Sequence, residues 1–220
     1  MAAGYQKVDL TTEEDDLFES EWDKIVTRHF VVREASDIFA DHKEAIKEAC
    51  RIAKYQLEQP FGGANARTNE FGWQPIMPNF ILTANAAPTY ATRTWNQWLT
   101  TSDVTTGWKD WIASSASKFK LSKYSTLIII GFADPVEVPK IDALRATIKS
   151  IDYPIWYFGD QMAEQDYPVV ELTAPIILEK EQEMNIRELV GRAGLSKIRP
   201  LGVVYSKGDY MRDESAYSKV

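Results

Sequence analysis

Up to about residue 60 the apolar residues recur at helical spacing, and beyond it they gather in short runs. Thr11-Thr12-Glu13-Glu14 reads as a helix start, with Thr11 as cap and Glu14 closing a capping box. Leu17, Phe18, Trp22 and Ile25 follow on one face. The spacing predicts a second helix from about Ser36 to Glu58, with Ile38, Phe39, Ala45, Ile46, Ala49, Ile52, Ala53 and Leu57 on one stripe. Its other side, with Lys43, Glu44, Lys47, Glu48, Arg51 and Lys54, is a solvated face, and Pro60 with Gly62-Gly63 stops it.

The stretch Phe61–Pro78 mixes Gly, Asn and Pro and reads as a connecting loop. Strands are predicted at Phe80–Leu82, Leu127–Phe132, Pro154–Phe158, Val169–Leu172, Ile176–Leu178 and Ile198–Tyr205, most of them bounded by Pro, Gly or Asp. Ile141, Leu144 and Ile148 suit a helix or a strand, and Trp108–Phe119 is predicted as a helix starting near Thr106. Asp152-Tyr153-Pro154-Ile155 is echoed by Asp166-Tyr167-Pro168-Val169, which suggests two neighbouring strands with similar starts. The expected fold is α+β: an N-terminal helical region followed by a mainly antiparallel β-sandwich, with a jelly roll as one way of closing it. The expected divisions are a helical region 1–60, a β domain 61–212 and a polar tail 213–220.

Composition narrows the class. With 45% hydrophobic and 26% charged residues, 220 residues suit an ordinary globular chain. The net charge of −7 argues against nucleic acid as a specific partner. The charge is also graded along the chain. Residues 1–24 carry eight acids against two lysines, a net of −6, while residues 191–212 carry five bases against one acid, a net of +4. Either these are two solvated surfaces, or Asp15, Asp16 and Glu19 complement Arg192, Lys197 and Arg199 within one chain or between copies. Cys50 is the single cysteine and fits a helix as an apolar filler. No basic-then-apolar start and no apolar run of membrane-spanning length occurs, so a protein made soluble in a reducing cytoplasm is expected.

No constellation spells out a reaction. His29 and His42 are the only histidines, and His42 lies two helical turns, ~12 Å, from Cys50, too far to activate it. Neither a Cys-x-x-Cys nor a His-x-x-x-His pair is present, so no metal site and no cofactor are expected. The acids Asp15-Asp16, Asp134 with Glu137, and Glu179 with Glu181 read as solvated carboxylates. Gly62-Gly63-Ala64-Asn65 lacks the Lys-Ser/Thr ending of a phosphate loop, and Gly191-Arg192-Ala193-Gly194 reads as a turn between strands. No catalytic residue is assigned; an enzyme would need scattered carboxylates, with Asp152, Asp160, Glu164 and Asp166 among the aromatics as candidates.

The tryptophans remain. Trp95-Asn-Gln-Trp98 and Trp108-Lys-Asp-Trp111 place four of seven tryptophans within a short stretch flanked by Thr and Ser. Three fates are open to Trp95, Trp98, Trp108 and Trp111: packed core, subunit interface, or ligand platform with Asn96, Gln97 and Asp110 as orienting groups.

The segment Pro168-Val-Val-Glu-Leu-Thr-Ala-Pro-Ile-Ile-Leu-Glu-Lys-Glu-Gln-Glu-Met-Asn-Ile186 resembles a pattern of virion structural proteins from bacterial and archaeal double-stranded DNA viruses. The matching pieces are a Pro-flanked strand at Pro175-Ile176-Ile177, a polar turn at Glu181-Gln182-Glu183, and a Gly-containing stretch Leu201-Gly202-Val203-Val204. Ile186–Gly191 departs from the pattern by being more charged and less regularly alternating. The resemblance implies a capsid or capsid-associated protein, localised to the virion and acting by self-assembly or docking onto a shell. Its partners would be copies of itself and other virion proteins. A carbohydrate- or receptor-binding module with a tryptophan platform for a glycan is the alternative, and an enzyme with scattered carboxylates the second.

Overall fold

The structure, a computed structural model, describes residues 15, 16, 18–20, 22, 35–58, 71–76, 102–103, 106–113, 118–121, 125–134, 140–158, 169–195 and 198–207. Phe80–Leu82, Trp95, Trp98, His29, Lys197 and the tail 213–220 lie outside these residues, as do Asp160, Glu164 and Asp166.

Asp15, Asp16, Phe18, Glu19, Ser20 and Trp22 are helical, as the capping box predicts. The second predicted helix is divided into α1 (Ala35–Asp41) and α2 (Lys43–Glu58). The division is one residue, His42, and helical hydrogen bonds cross it: His42 N–H donates to the Ile38 carbonyl at 3.1 Å and Ile46 N–H to the His42 carbonyl at 2.9 Å. Of the predicted stripe, Ile38, Phe39, Ile46, Ala49 and Ala53 lie in the core together with Cys50, whereas Ala45 and Ile52 are exposed and Lys47 of the predicted solvated face is buried.

The strands are β1 (Phe71–Pro75), β2 (Ser102–Asp103), β3 (Gly107–Ile112), β4 (Phe119–Lys120), β5 (Ser125–Ala133), β6 (Ile141–Ile148), β7 (Ile151–Asp152), β8 (Trp156–Tyr157), β9 (Val169–Leu178), β10 (Glu183–Val190), β11 (Gly194–Leu195) and β12 (Arg199–Lys207). They form a first sheet in the order β1-β12-β5-β9 and a second in the order β3-β10-β6-β7, where β4 joins β10 and β8 joins β6. Every pairing is antiparallel. Taking β1, β3, β5, β6, β7, β9, β10 and β12 as first to eighth, the first sheet runs first-eighth-third-sixth and the second runs second-seventh-fourth-fifth. That interleaving is the strand order of a jelly roll.

The first sheet is buried on both faces. Leu127, Ile129, Phe132, Val170, Ile176 and Val204 face the second sheet in one core. Ile128, Ile130, Ala133, Val169, Val203 and Tyr205 face Phe18, Trp22, Phe39, Ile46 and Cys50 of the helices in another. The helical region and the sheet therefore share a core rather than standing as separate units. Gly202 permits the closest approach of β12 to β5: its φ is +148°, and a Cβ there would stand 2.0 Å from the Ile128 carbonyl oxygen.

Three expectations are corrected. Trp108–Phe119 is not a helix; β3 occupies Gly107–Ile112, where Trp108 and Trp111 point to opposite faces rather than sharing one as a helix would require. The predicted loop Phe61–Pro78 contains β1, whose Gly72 and Pro75 are tolerated because β1 borders the sheet. The strands of the Asp-Tyr-Pro echo are not neighbours, since β8 joins the second sheet and β9 the first. Ile141, Leu144 and Ile148 settle as strand β6, and Arg192-Ala193 form the bend between β10 and β11.

Candidate functional site: the open face of the second sheet

Among the described residues the second sheet packs a full apolar layer on one face; on the other, Ala143 and Asn185 are buried while Trp108, Arg145, Thr147, Arg187 and Leu189 stay partly exposed. Along β10, Met184, Ile186 and Val190 point into the sandwich, and along β6 so do Leu144, Ala146 and Ile148. The intervening positions Arg187, Leu189, Arg145 and Thr147 occupy the other face. Register then fixes a grid. Trp108, Leu189, Ala143 and Tyr157 form one row across four strands, and Asp110, Arg187 and Arg145 form the next. Asn185, Thr147 and Asp152 form a third.

The charges on this grid are close and partly neutralised. Arg187 Nε lies 3.6 Å from Asp110 Oδ1, and the Arg187 guanidinium sits 5.9 Å from the Trp108 ring centroid, within cation–π range. Arg145 pairs with Asp152, which also accepts a hydrogen bond from Thr147 Oγ1 at 2.7 Å. Tyr157 is 48% exposed, and the Arg187 and Arg145 side chains are 43% and 38% exposed, so this face meets solvent. Lys149 and Ser150, both at positive φ, make the two-residue hairpin that returns β6 to β7 and brings Asp152 beside Thr147.

The predicted platform tryptophans separate. Trp108 is half-buried on the open face, whereas Trp111 is buried in the core against Phe132, with ring centroids 6.1 Å apart. The cause is strand alternation: positions three apart on a strand point to opposite faces, so with Trp108 and Asp110 outward Trp111 turns inward. A β-bulge, where Ile112 pairs with Ile186 and Asp110 with Arg187, then turns Ile112 inward as well. Trp111 is thus core, not interface or platform, and its Nε1 finds no hydrogen-bond partner in the structure. The open-face arginines and Tyr157 were not singled out from sequence, because cross-strand register brings them together.

The charged assembly surface expected from the graded ends also divides. Asp15 and Glu19 pair with α2: Lys47 Nζ lies 2.6 Å from Asp15 and 3.5 Å from Glu19, and Lys43 pairs with Glu19. The Lys43 hydrogen bond holds the Glu19 carboxyl below its usual range, and the Asp15 hydrogen bond holds the Lys47 ammonium above its own, each against desolvation. Asp16 is exposed, as is Arg192, but Arg199 is buried, and that burial pushes its guanidinium down. Arg199 is therefore a correction: it is not a surface charge.

A second concavity, an open groove of about 580 Å³, lies between the end of α2 and the β9–β10 turn. Its residues serve the fold. Glu179 accepts from Gln56 Nε2 at 2.9 Å and from Gln182, and Lys180 Nζ donates to the Gln56 carbonyl in the last turn of α2 at 2.7 Å. His42 lies 3.1 Å from Glu171, and Cys50 is fully buried, which pushes its thiol up and away from reactivity. Among the described residues no group of three or more His, Cys, Asp or Glu gathers as metal ligands, and no helix is long and apolar enough to cross a membrane. Compared with family models, curated proteins and solved structures, the chain has no match.

Proposed function

We propose that this chain is a virion structural protein, part of a shell or docked on one, that works by surface contact rather than by catalysis. The observation that carries the reading is the pairing of a jelly-roll strand order with a sheet face on which Trp108, Tyr157, Arg145 and Arg187 are partly exposed. Tryptophan, tyrosine and arginine are the side chains that anchor protein interfaces. The step from jelly roll to shell is an analogy of fold, since the same architecture also serves lectins and cupins. The helical layer fits it: it buries one face of the first sheet, while the second sheet keeps partly exposed side chains for contact. Light scattering on the purified chain across concentration and salt, with negative-stain imaging of the same samples, tests the reading. Rings, clusters or shells are expected; a single monomeric species under every condition contradicts self-assembly.

A second reading has its own support. Trp108 and Tyr157 bracket a flat row with Asp110, Thr147 and Asp152 nearby, a composition that also suits a glycan platform. Tryptophan fluorescence that shifts on adding glycans at fixed oligomer size selects it over assembly.

A further inference from the structure

Two arginines stand side by side at the middle of the open face. Arg187 of β10 and Arg145 of β6 are direct cross-strand partners, an arrangement that costs stability because like charges face each other. Each has one carboxylate for company: Asp110 beside Arg187 and Asp152 beside Arg145. The Asp110 contact of 3.6 Å is longer than a hydrogen bond, and among the described residues none reaches the Arg187 guanidinium. The Nε atoms of both arginines are shielded from water and without a hydrogen bond in the structure. Trp108 backs the Arg187 guanidinium from its ring face.

We infer that this arginine pair is the seat for a carboxylate carried on an acidic segment of a partner protein. Adjacent guanidiniums offer the planar, forked donors that a carboxylate accepts in pairs. The charges of Arg145, Arg187, Asp110 and Asp152 sum to zero, so a monoanion is accommodated where a phosphate dianion meets two aspartates at close range. The chain's net charge of −7 further opposes a polyanion such as nucleic acid. In the neighbouring row the half-buried Trp108 and Leu189 and the exposed Tyr157 supply apolar surface for the flanking residues of a peptide. The inference rests on the surface-contact reading only in using the same face, and it names the chemistry of the partner.

The test titrates a terminally capped peptide carrying a single glutamate between leucine and tyrosine residues into the full chain at near-physiological salt, reading tryptophan fluorescence and heat, with inorganic phosphate and sialyllactose as separate arms. Circular dichroism checks that each variant is folded. Saturable peptide binding is expected, weakened about tenfold to a hundredfold by Arg187→Gln or Arg145→Gln. Arg187→Lys weakens it nearly as much, because the charge stays but the fork is lost. Arg192→Gln, on the bend after β10, leaves it unchanged. Peptide binding indifferent to the two open-face glutamine variants, equal binding by Arg187→Lys, or binding of sialyllactose or phosphate in place of the peptide overturns the inference. Light scattering on the same samples separates the two ideas. Assembly without peptide binding removes this seat and leaves the contact reading standing; peptide binding by a permanent monomer keeps the seat and removes self-assembly.

Discussion

The two sheets of this sandwich differ in how many faces they bury, and their sequences differ accordingly. In the first sheet, β5 reads Ser-Thr-Leu-Ile-Ile-Ile-Gly-Phe-Ala and all of it is buried, because helices cover one side and the second sheet the other. In the second sheet, β6 reads Ile-Asp-Ala-Leu-Arg-Ala-Thr-Ile, with its partly exposed Arg145 and Thr147 set between buried neighbours. A strand covered on both sides is a continuous apolar run, and one covered on a single side alternates. On the proposed reading, the doubly covered first sheet holds the fold and the partly exposed side chains of the second make the contacts.

Substitutions sharpen that contrast, beginning where the effect is largest. Phe132→Ala, which empties the site between Trp111 and Trp156, is expected to cost about 3–5 kcal/mol. Gly202→Ala is expected to cost about 3 kcal/mol, since the new Cβ collides with backbone at a φ that L residues avoid. Urea denaturation measures both, and a loss below about 1 kcal/mol in either would break the claim that the first sheet holds the fold.

Smaller effects are expected at the charged seam that fastens the N-terminal helical residues to α2. Lys47→Met removes the contacts to Asp15 and Glu19 and is expected to cost about 1 kcal/mol. The pH dependence has a definite sign. Glu19 has a lowered folded pKa, so its contribution is present above the usual carboxylate range and is lost as pH falls through the lowered value. Lys47 has a raised one, so its contribution persists from neutral into alkaline pH and is lost as pH rises through the raised value. The seam is therefore expected to hold at neutral pH and loosen in acid; because Glu19 is 46% exposed, salt weakens the effect. Hydrogen exchange of the helical residues against pH checks it, and Lys43→Met, which removes the main partner of Glu19, flattens the acid limb.

The smallest stability change belongs to the open face. Arg187→Gln and Arg145→Gln are each expected to move stability by less than about 1 kcal/mol, since the arginines are partly solvated and repel one another. Urea midpoints that fall as far as those of Phe132→Ala would mean the face is structural.

Much of the first sheet and the helices was legible in the chain. The run Leu127–Ile130 announces a strand buried on both sides, and most of the apolar stripe of the second helix is buried, although His42 divides it and Ala45 and Ile52 are exposed. What misled was local irregularity. The i, i+3 spacing of Trp108 and Trp111 suggests one helix face although on β3 they take opposite faces, and Gly72 with Pro75 disguises β1 as a loop. Glu188, fully buried within β10, breaks the alternation that would have marked that strand. The open face was illegible for a different reason. Arg145, Arg187, Trp108 and Tyr157 come from four strands, and only register makes them neighbours. The pairing of Asp15 and Glu19 with Lys43 and Lys47 was missed likewise, because net charge along the chain says nothing of which helix packs on which.

The measurement closest to the central claim is sedimentation velocity of the wild-type chain and an Arg145→Glu/Arg187→Glu double variant over a range of concentrations. The account predicts larger species for the wild type and a folded monomer for the variant. A wild type that stays monomeric throughout, or a variant that assembles as readily as the wild type, contradicts the claim that the open face of the second sheet is where this protein makes its contacts.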